Sequence, residues 1–442
     1  MISFIKKLWR DRSGNALLVA AACMPLVFGA AGLASDTIQW VMWKRQLQRL
    51  ADSGALAGVY AIAAGQTVGT CSTSLLSSAT YSNPVAYDIK KNSKLKVVPT
   101  CEMHNPSTTA GFTTDVNSIN VTLTMQKRLN FSSMFLANPP TIEANATATI
   151  VPDGQYCVIS LESGNVTGID ASGSTTVNLG CGGKTNSTSI SAAVATGSSN
   201  VKMTPVAAVG GIPASDNWGP GTVLQPFSLA QADPFINVPP PTPSGCQTFA
   251  QMVAANGGSM DFSASRTSAT AVYCIKENGG GGFQVNGDVN LGKGTYVLDA
   301  TDLSMSSTGS LLSCSGCTIV LTSSTAATNP NSIGSVHITG GKMNLTSPEA
   351  GNTYAGITIY QDRRATAYNN NTFNGNGASS LEGALYFPNG DLSFAGVTGQ
   401  STSCLQLVGR RITFTGNSNI QNDCSGAGGG SMFTGQKVRL VA

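Results

Sequence analysis

One group of side chains in this sequence has the types needed for chemistry, Asp362-Arg363-Arg364, which follows a strand-like segment. A carboxylate beside arginines is typical of β-helix enzymes that bind and cleave acidic polysaccharides. No second carboxylate accompanies it at a suggestive spacing, and the alternative is a surface turn in which Asp362 pairs with a neighbouring arginine. Tyr386 and Phe387 would stack on a glycan if exposed, but strand aromatics more often lie in a core. We expect structural roles for both groups.

The sequence contains few side chains that could bind a metal ion or a cofactor. The chain has 2 histidines, His104 and His337, far apart in the sequence. The string DASGS at 170–174 matches the DxSxS adhesion pattern of von Willebrand type A domains, whose oxygens suit a divalent cation. Its flanks predict strand, turn, strand instead of a strand leading into a helix. The glycine runs 279–282 and 426–430 lack the helix and Lys-Ser/Thr pair of a phosphate loop. We predict no catalytic residue, no cofactor and no metal site.

Composition excludes several further classes of protein. A chain of 442 residues suffices for about two or three domains and a sizeable core. Charged residues make up 11% and hydrophobic residues 41%, with a net charge of +3. This balance excludes a long charged helix, and it differs from disorder, which combines low hydrophobicity with high net charge. No block rich in Lys and Arg occurs beyond the first 50 residues, so we predict no nucleic-acid partner.

A membrane span is predicted near the amino terminus. Residues 16–34 are almost wholly apolar or small, and basic residues at positions 6, 7, 10 and 12 precede them. At about 1.5 Å per helical residue, this stretch approaches the roughly 30 Å of a bilayer hydrocarbon core. The positive-inside rule keeps the amino terminus cytoplasmic and exports everything after Asp36. Pro25 predicts a kink that a packed neighbour would cover.

Two alternatives for the same segment involve cleavage. A signal peptide would be cut after Ala34, although the apolar region of a signal peptide usually runs about 7 to 15 residues. A prepilin would be cut after Gly14, although that processing expects a glutamate where this chain has Val19.

The segment 37–64 contains no proline and is predicted to continue the same helix. Small residues gather along its second half, including Ala51, Gly54, Ala55 and Gly58. The two glycines, four residues apart, lie on one face, where another backbone can approach closely. Two interpretations are open: the face packs against a partner chain, or it lies on the domain of its own chain. We expect the first, with Ala51, Gly54, Ala55 and Gly58 packing against other helical pilin-like subunits.

These residues resemble the TadE/TadG-like family of Flp (tight adherence) pilus assembly. The resemblance rests on RSGNA at 12–16, GAAGL at 29–33, Asp36 and the string KRQLQRLADSGALAGVYA at 44–61. The helix positions typical of the family are held by Leu47, Gln48, Ala51, Asp52, Ala55, Leu56 and Ala57. Gly54 departs from the alanine usual in the family and slightly lowers helix propensity.

The resemblance extends to residues 120–151, where it implies two strands that complete a small pilin-like α/β unit on the exported helix. It also implies that the Ser/Asn/Gly-rich segment 164–203 and the strings at 354–364 and 383–394 belong to the exported region of TadG-like proteins. The resemblance therefore favours a structural role for the Asp362 cluster.

Cysteine usage supports an oxidising compartment. Cys23 lies in the predicted span, and the others follow it: Cys71, Cys101, Cys157, Cys181, Cys246, Cys274, Cys314, Cys317, Cys404 and Cys424. Neighbours in sequence form consistent disulfide candidates: 71 with 101, 157 with 181, 246 with 274 and 404 with 424. The CxxC at 314–317 lacks both a redox context and a second CxxC for zinc, which favours a small disulfide loop.

Beyond residue 156 the sequence shows short β-prone segments between Gly, Ser, Asn and Thr turns. Such a pattern predicts an all-β fold, and the short strands with tight uncharged corners favour a right-handed parallel β-helix over a sandwich. The predicted segments are a basic start and anchor at 1–36, an exported helix with the α/β unit at 37–152, a first β region at 153–233, a Pro-rich linker at 234–245 and a β-helix-like region at 246–442.

We therefore expect a mainly β protein with an N-terminal transmembrane helix, single-pass in the bacterial inner membrane, with its bulk in the periplasm or at the surface. Its expected function is a non-enzymatic structural or adhesive part of Flp pilus assembly. The partners would be lipid, other pilin-like or pilus-assembly subunits and possible glycans. The alternatives are a membrane-tethered carbohydrate-binding or carbohydrate-active β-helix protein, and a released surface adhesin independent of pili.

Overall fold

The structure is a computed structural model. It describes residues 14–64, 66, 68, 83–93, 100–104, 118–277, 282–366, 369–374, 379–395, 400–402, 404–416, 419–422 and 432–441. The chain divides into two compact units, Met1–Val151 with Val438–Ala442, and Pro152–Lys437. We call them unit 1 and unit 2.

The described helices are α1 (Gly14–Ala63), α2 (Pro84–Asn92) and α3 (Phe249–Ala255), with short 3-10 helices at Ser132–Met134 and Pro330–Ser332. The strands are β1 (Thr100–His104), β2 (Ser118–Gln126), β3 (Thr141–Ser160), β4 (Ile169–Ala171), β5 (Thr176–Asn178), β6 (Gly182–Thr185), β7 (Ala193–Ala195), β8 (Asn200–Lys202), β9 (Val206–Ala208), β10 (Leu224–Gln225), β11 (Val272–Ile275), β12 (Phe283–Gln284), β13 (Asp288–Asn290), β14 (Gly294–Asp299), β15 (Leu303–Met305), β16 (Leu311–Ser315), β17 (Cys317–Thr322), β18 (Val336–Ile338), β19 (Lys342–Thr346), β20 (Ile357–Gln361), β21 (Asn369–Phe373), β22 (Ser380–Ala395), β23 (Gln400–Thr402), β24 (Leu405–Thr415), β25 (Asn419–Asn422) and β26 (Phe433–Leu440).

Helix α1 has two halves with different surroundings. From residue 20 to 42 most of its side chains are exposed, whereas Leu47, Ala51, Ala55 and Val59 in the second half are fully buried. Their spacing of four residues places them on one stripe of the helix, as expected for an amphipathic helix on a core. Among the described side chains of α1, the apolar ones buried in the core of unit 1 lie in the second half of the helix.

The rest of unit 1 is built on this stripe. Helix α2 begins at Pro84 behind an Asn83 cap, whose side chain accepts hydrogen bonds from the N–H groups of Val85 and Ala86. Strands β1, β2 and the first half of β3 form an antiparallel sheet. Alternate residues of β3 from Ile142 onward are buried in the core shared with α1 and α2.

Unit 2 consists of parallel strand ladders. Most strands pair with the third strand further along the chain: β11 with β14, β12 with β15 and β13 with β16, and the pattern repeats through β19. The longest ladder runs β10, β9, β6, β3, β24, β22, β20, β17, β14, β11. Strand β3, the first of the unit, thus lies in the middle of this ladder.

Apolar side chains align along the ladders. Phe373, Phe394 and Phe414 are in register on β21, β22 and β24, with ring centroids 5.3 and 5.7 Å apart. Stacking identical residues on successive strands fills a narrow core without large voids. These aligned rings are part of the hydrophobic core of unit 2.

The expected fold class is supported at its coarser level. The chain is mainly β, with parallel pairing and one N-terminal apolar helix. Among the described residues, one helix, Ala20–Ala63, is long and apolar enough to cross a membrane, judged by length and composition alone. Its most apolar window has a mean hydropathy of 1.4 and is 6% buried.

The Pro-rich segment predicted as a linker lies within unit 2. Residues 153–233 and 246–437 lie in one compact unit, and the Pro-rich segment between them packs against the strands of that unit. We call residues 231–241 the strap.

Candidate functional site

The small-residue face of α1 packs within unit 1. A Cβ added at Gly58 would lie 2.6 Å from the Ile119 side chain and 2.8 Å from that of Val85, and one at Gly54 would lie 3.0 Å from Ile89. Ala51 and Ala55 are fully buried in the same core. Of the two interpretations of this face, the structure has the second, a helix lying on its own domain.

The exposed surface of α1 lies elsewhere. Ile38, Trp40 and Met42 are exposed by 61%, 40% and 55%, and they continue the apolar surface of the amino-terminal half. Since the small-residue face is occupied by α2 and β2, any contact of α1 with lipid or with another helix has to use this other surface.

Asp36 ties the end of the predicted span to a turn of the same unit. Its carboxylate accepts hydrogen bonds from the backbone N–H of Phe131 at 3.1 Å, the N–H of Ser132 at 2.5 Å and the Ser132 hydroxyl at 2.6 Å. It is 3% exposed. A carboxylate that caps the first N–H groups of a 3-10 helix fixes that turn in place. Sequence reasoning identified Asp36 only as a position typical of the family, because its partners lie 95 or more residues away.

Asp362 and Arg364 form an ion pair inside the expected turn. Asp362 is fully buried, and its Oδ2 accepts hydrogen bonds from Arg364 Nη2 and Thr322 Oγ1, both at 2.6 Å. Burial acts to raise the pKa of the Asp362 carboxyl, but these hydrogen bonds outweigh it and hold the pKa below its usual range. The carboxylate has no solvent-exposed position from which to act on a glycan.

Arg363 holds the strap. Its Nη1 donates to the carbonyl of Ile236 at 2.5 Å, and its Nη2 donates to those of Phe235 at 2.9 Å and Val238 at 3.1 Å. A guanidinium with several donors in one plane is suited to clamp neighbouring carbonyls. Arg363 is therefore occupied by the chain itself.

Buried tyrosines line the surface beneath the strap. Tyr386 donates to Asp233 at 2.7 Å, Tyr360 to the Val238 carbonyl at 3.0 Å and Tyr354 to the Pro239 carbonyl at 2.9 Å. Burial raises the pKa of the Tyr386 hydroxyl, and its hydrogen bond to Asp233 adds to this. Phe387 is fully buried on the opposite side of β22, in the core. Neither aromatic of the pair 386–387 is available to stack on a glycan.

The DxSxS string lies where a strand ends. Asp170 is in the middle of β4, and Ser172 follows the strand. Burial raises the pKa of the Asp170 carboxyl, which Arg411 and Ser172 only partly offset. Across the described part of the chain, no group of three or more His, Cys, Asp or Glu side chains lies close enough to hold a metal ion.

Disulfides join Cys157 to Cys181, Cys246 to Cys274 and Cys314 to Cys317. Each is a pair suggested by neighbourhood in the sequence. Cys404 is also disulfide-bonded. Cys71 and Cys424 lie outside the described residues, as does the side chain of Cys101, and Cys23 is a free, exposed thiol.

A buried ion pair in unit 2 has no signal in the sequence. Lys184 Nζ lies 3.3 Å from Asp153 Oδ2 and 5.1 Å from the centre of the Tyr156 ring, and the lysine is 1% exposed. Burial lowers the pKa of the Lys184 ammonium, and Asp153 partly offsets this. The local string GGKT at 182–185 gives no sign that its lysine points inward, because the carboxylate comes from a neighbouring strand.

A cavity of about 250 Å³ lies near the carboxyl ends of β13 and β16 in unit 2. Arg266 and Lys293 line it together with polar residues, among them Ser263 and Asn290. The Arg266 guanidinium is stacked 3.9 Å from the ring of Phe262, and its Nη1 is buried without a hydrogen-bond partner. Two cations without a carboxylate among the lining residues favour an anionic group in this cavity. Sequence reasoning did not single out either cation.

Comparison with known proteins bears on the amino-terminal helix. A family model for Flp pilus-assembly TadE/G-like proteins (Tad) matches residues 14–64. The matched residues coincide with α1, which confirms the resemblance identified on the amino-terminal segment. Residues 120–151 lie outside the match. No curated protein and no solved structure matches the chain.

Proposed function

We propose that this protein is a membrane-anchored, non-enzymatic component of a Flp (Tad) pilus-assembly system, with a structural or adhesive role. The observation that carries the proposal is the match to the TadE/G-like model over residues 14–64, which coincides with the apolar helix α1. The first half of α1 is the anchor, crossing the bacterial inner membrane once with its amino terminus in the cytoplasm. Units 1 and 2 then lie in the periplasm or at the cell surface.

The exposure of α1 supports the anchor. Leu26, Val27 and Phe28 are exposed by 74%, 64% and 68%, although such side chains are normally buried in a water-soluble protein. Alkaline phosphatase fused after Ala442 in bacterial cells tests the orientation. An exported carboxyl terminus gives an active fusion in the membrane fraction. An inactive fusion, or one released into the soluble fraction, would contradict the single-pass anchor.

The exposed surface of α1 beyond Asp36 is the proposed contact with other pilus subunits, because the small-residue face is already filled. A photo-crosslinking amino acid at Met42, 55% exposed, is expected to capture pilus-system subunits in cells that make Flp pili. The matched control is Val272, 61% exposed in unit 2, which should capture none of them. Absence of any pilus subunit at position 42, with protein levels unchanged, would refute this contact.

For the fold we propose a pilin-like unit 1 and a right-handed parallel β-helix in unit 2. What supports the β-helix is the rotation of successive strands among three ladders, since each coil would contribute one strand to each ladder. An experimental structure of the full-length protein in detergent would test whether the strands of unit 2 coil and whether the coil is right-handed. A flat sheet without coiling would refute it.

A second candidate function is binding of an acidic glycan at the cavity lined by Arg266 and Lys293. The two cations there favour this class of ligand, whereas the residues at 362–364 are engaged with the protein itself. Titration of the full-length protein with oligogalacturonate is expected to show binding that Lys293→Gln weakens and Lys342→Gln, a control on β19, does not. Equal binding by all three proteins would refute the cavity as the site.

A further inference from the structure

The turn held by Asp36 presents an exposed apolar tip. We call residues 131–136 the FSSMFL loop. Within it, Met134, Phe135 and Leu136 are exposed by 76%, 74% and 51%. Three consecutive large apolar side chains exposed at the end of one turn are unusual on a protein surface facing water. The composition of this turn differs from that of most turns, which are rich in Gly, Pro, Asn, Asp and Ser.

The turn is ordered by several contacts, so that its tip has a fixed position. The 3-10 helix Ser132–Met134 is closed by a hydrogen bond from the Phe135 N–H to the Ser132 carbonyl at 3.0 Å, and the Leu136 N–H donates to the same carbonyl at 2.8 Å. The rings of Phe131 and Phe135 lie 5.4 Å apart. The apolar tip is therefore part of a compact turn and does not depend on a flexible chain to keep it exposed.

The contacts also fix where this turn lies along α1. Asp36 caps its first N–H groups, and a Cβ added at Gly32 would lie 2.4 Å from the Phe131 ring, so the ring packs directly on the helix there. The predicted span ends at Ala34, midway between Gly32 and Asp36. At about 1.5 Å per residue, the two contacts lie within roughly 3 Å of the end of the span on either side.

Polar and aromatic groups suited to the headgroup region flank the turn. Lys127 Nζ lies 4.5 Å from the ring centre of Trp43, Arg128 is exposed, and Trp40 is 40% exposed on α1. Tryptophans concentrate at the boundary between lipid and water, and basic residues are attracted to anionic headgroups. Because the carboxylate of Asp36 satisfies the N–H groups of the turn, the turn can approach the acyl chains without leaving these donors unpaired.

We infer that the FSSMFL loop is a second membrane contact of this protein: Met134, Phe135 and Leu136 insert into the interface of the leaflet from which α1 emerges, and Asp36 is the positioning residue that fixes the loop at that depth. The inference rests on the proposed anchor. Two contacts with one leaflet, the helix and the loop, would limit the tilt and rotation of unit 1 relative to the membrane. A single contact, the helix alone, would leave this tilt and rotation free.

The test uses the full-length protein in mixed phosphatidylcholine and phosphatidylglycerol vesicles, labelled with the environment-sensitive fluorophore NBD. The chain labelled at its native Cys23 reports the anchor. Phe135→Cys in a Cys23→Ser background reports the loop, and Ile190→Cys in the same background, 85% exposed in unit 2, is the control. The Cys23→Ser protein without an added cysteine gives the labelling blank.

The expected result is a blue shift at position 135 and stronger quenching by a lipid nitroxide near the headgroup than by one near the end of the acyl chain, with neither effect at position 190. Quenching at Cys23 with water-like emission at position 135 would overturn the inference and leave the anchor intact. Loss of quenching at Cys23 would instead overturn the anchor. Equal quenching at positions 135 and 190 would overturn the loop as a specific contact.

Asp36→Ala separates positioning from simple insertion. With the tether removed, quenching at position 135 by the shallow nitroxide is expected to fall, while quenching at Cys23 in the matched Asp36→Ala protein stays at the native level. Asp36→Asn keeps acceptor oxygen for the turn and is expected to restore part of the signal at position 135. Unchanged quenching at position 135 in Asp36→Ala would refute the positioning role of Asp36.

Discussion

Replacing Arg363 is expected to release the strap while leaving the ladders of unit 2 folded. Its guanidinium donates to carbonyls of Phe235, Ile236 and Val238, and these carbonyls belong to a segment without strand pairing. A hydrogen bond to a charged group contributes about 1.5 to 3 kcal/mol. Since the freed carbonyls regain water when the strap opens, we expect Arg363→Met to lower the free energy of opening by about 3 kcal/mol in total.

That loss is measurable by limited proteolysis of the full-length protein in detergent. Phe235 packs between Tyr386 and Phe433, with ring centres 5.3 and 5.6 Å away, so chymotrypsin reaches it only when the strap opens. When opening is fast relative to cleavage, about 3 kcal/mol corresponds to a rise of roughly a hundredfold in the cleavage rate at Phe235. Phe227, which is 77% exposed outside the strap, should be cut at the native rate in both proteins.

Neighbouring lysine variants supply the matched comparison. Arg363→Lys keeps the charge but loses the planar fork, and we expect about a tenfold faster cleavage at Phe235. Arg364→Lys keeps a cation beside Asp362 and does not touch the strap, so its cleavage rate should stay near native. A rate at Phe235 in Arg363→Met within about twofold of native, with cleavage at Phe227 unchanged, would refute the assigned role of Arg363.

Three further perturbations have expected outcomes. Because the folded state lowers the pKa of Asp362, the contribution of this carboxylate to stability is present above about pH 4 and is lost as the pH falls through the folded-state pKa. Asp362→Asn should therefore lower the free energy of unfolding by about 1 to 3 kcal/mol at neutral pH. It should also flatten the acid side of a plot of stability against pH. Replacing Cys246 and Cys274, 28 residues apart, by alanine should cost about 3 to 4 kcal/mol in denaturant unfolding, and an unchanged midpoint would contradict this. Gly58→Leu should destabilise unit 1 by about 2 kcal/mol in thermal unfolding, whereas Gly29→Leu, with nothing within 4 Å of its added Cβ, should not.

Local sequence patterns predicted what depends on neighbouring residues. The long apolar run and the absence of proline from 37–64 predicted one continuous helix, and α1 extends from Gly14 to Ala63. Short β-prone segments between turns predicted the many strands of unit 2. These features follow from periodicity, which a single sequence contains.

The partner of each polar side chain was not predictable in the same way. Arg363 and its strap carbonyls are separated by 125 to 128 residues, and Arg410 and Glu162 by 248. The two interpretations of the Gly54 and Gly58 face differed only in what lies opposite, which periodicity does not contain. The same holds for Lys184, whose position inside unit 2 depends on Asp153 of a neighbouring strand.

The order of strands in the long ladder accounts for this dependence on distant residues. Strand β3 pairs with β6, which follows closely, and with β24, so that Val158 lies beside Leu407. Until β24 is present, β3 and β4 each have an unpaired edge, and unpaired edges promote aggregation. The strap is part of the connection between the two ends of the ladder. It follows β10, the strand at one end, and precedes α3 and β11, the strand at the other end. A protein truncated before residue 405 should therefore aggregate, although it retains β3 to β22. If the truncated protein stayed soluble and unfolded cooperatively, this account of unit 2 would be refuted.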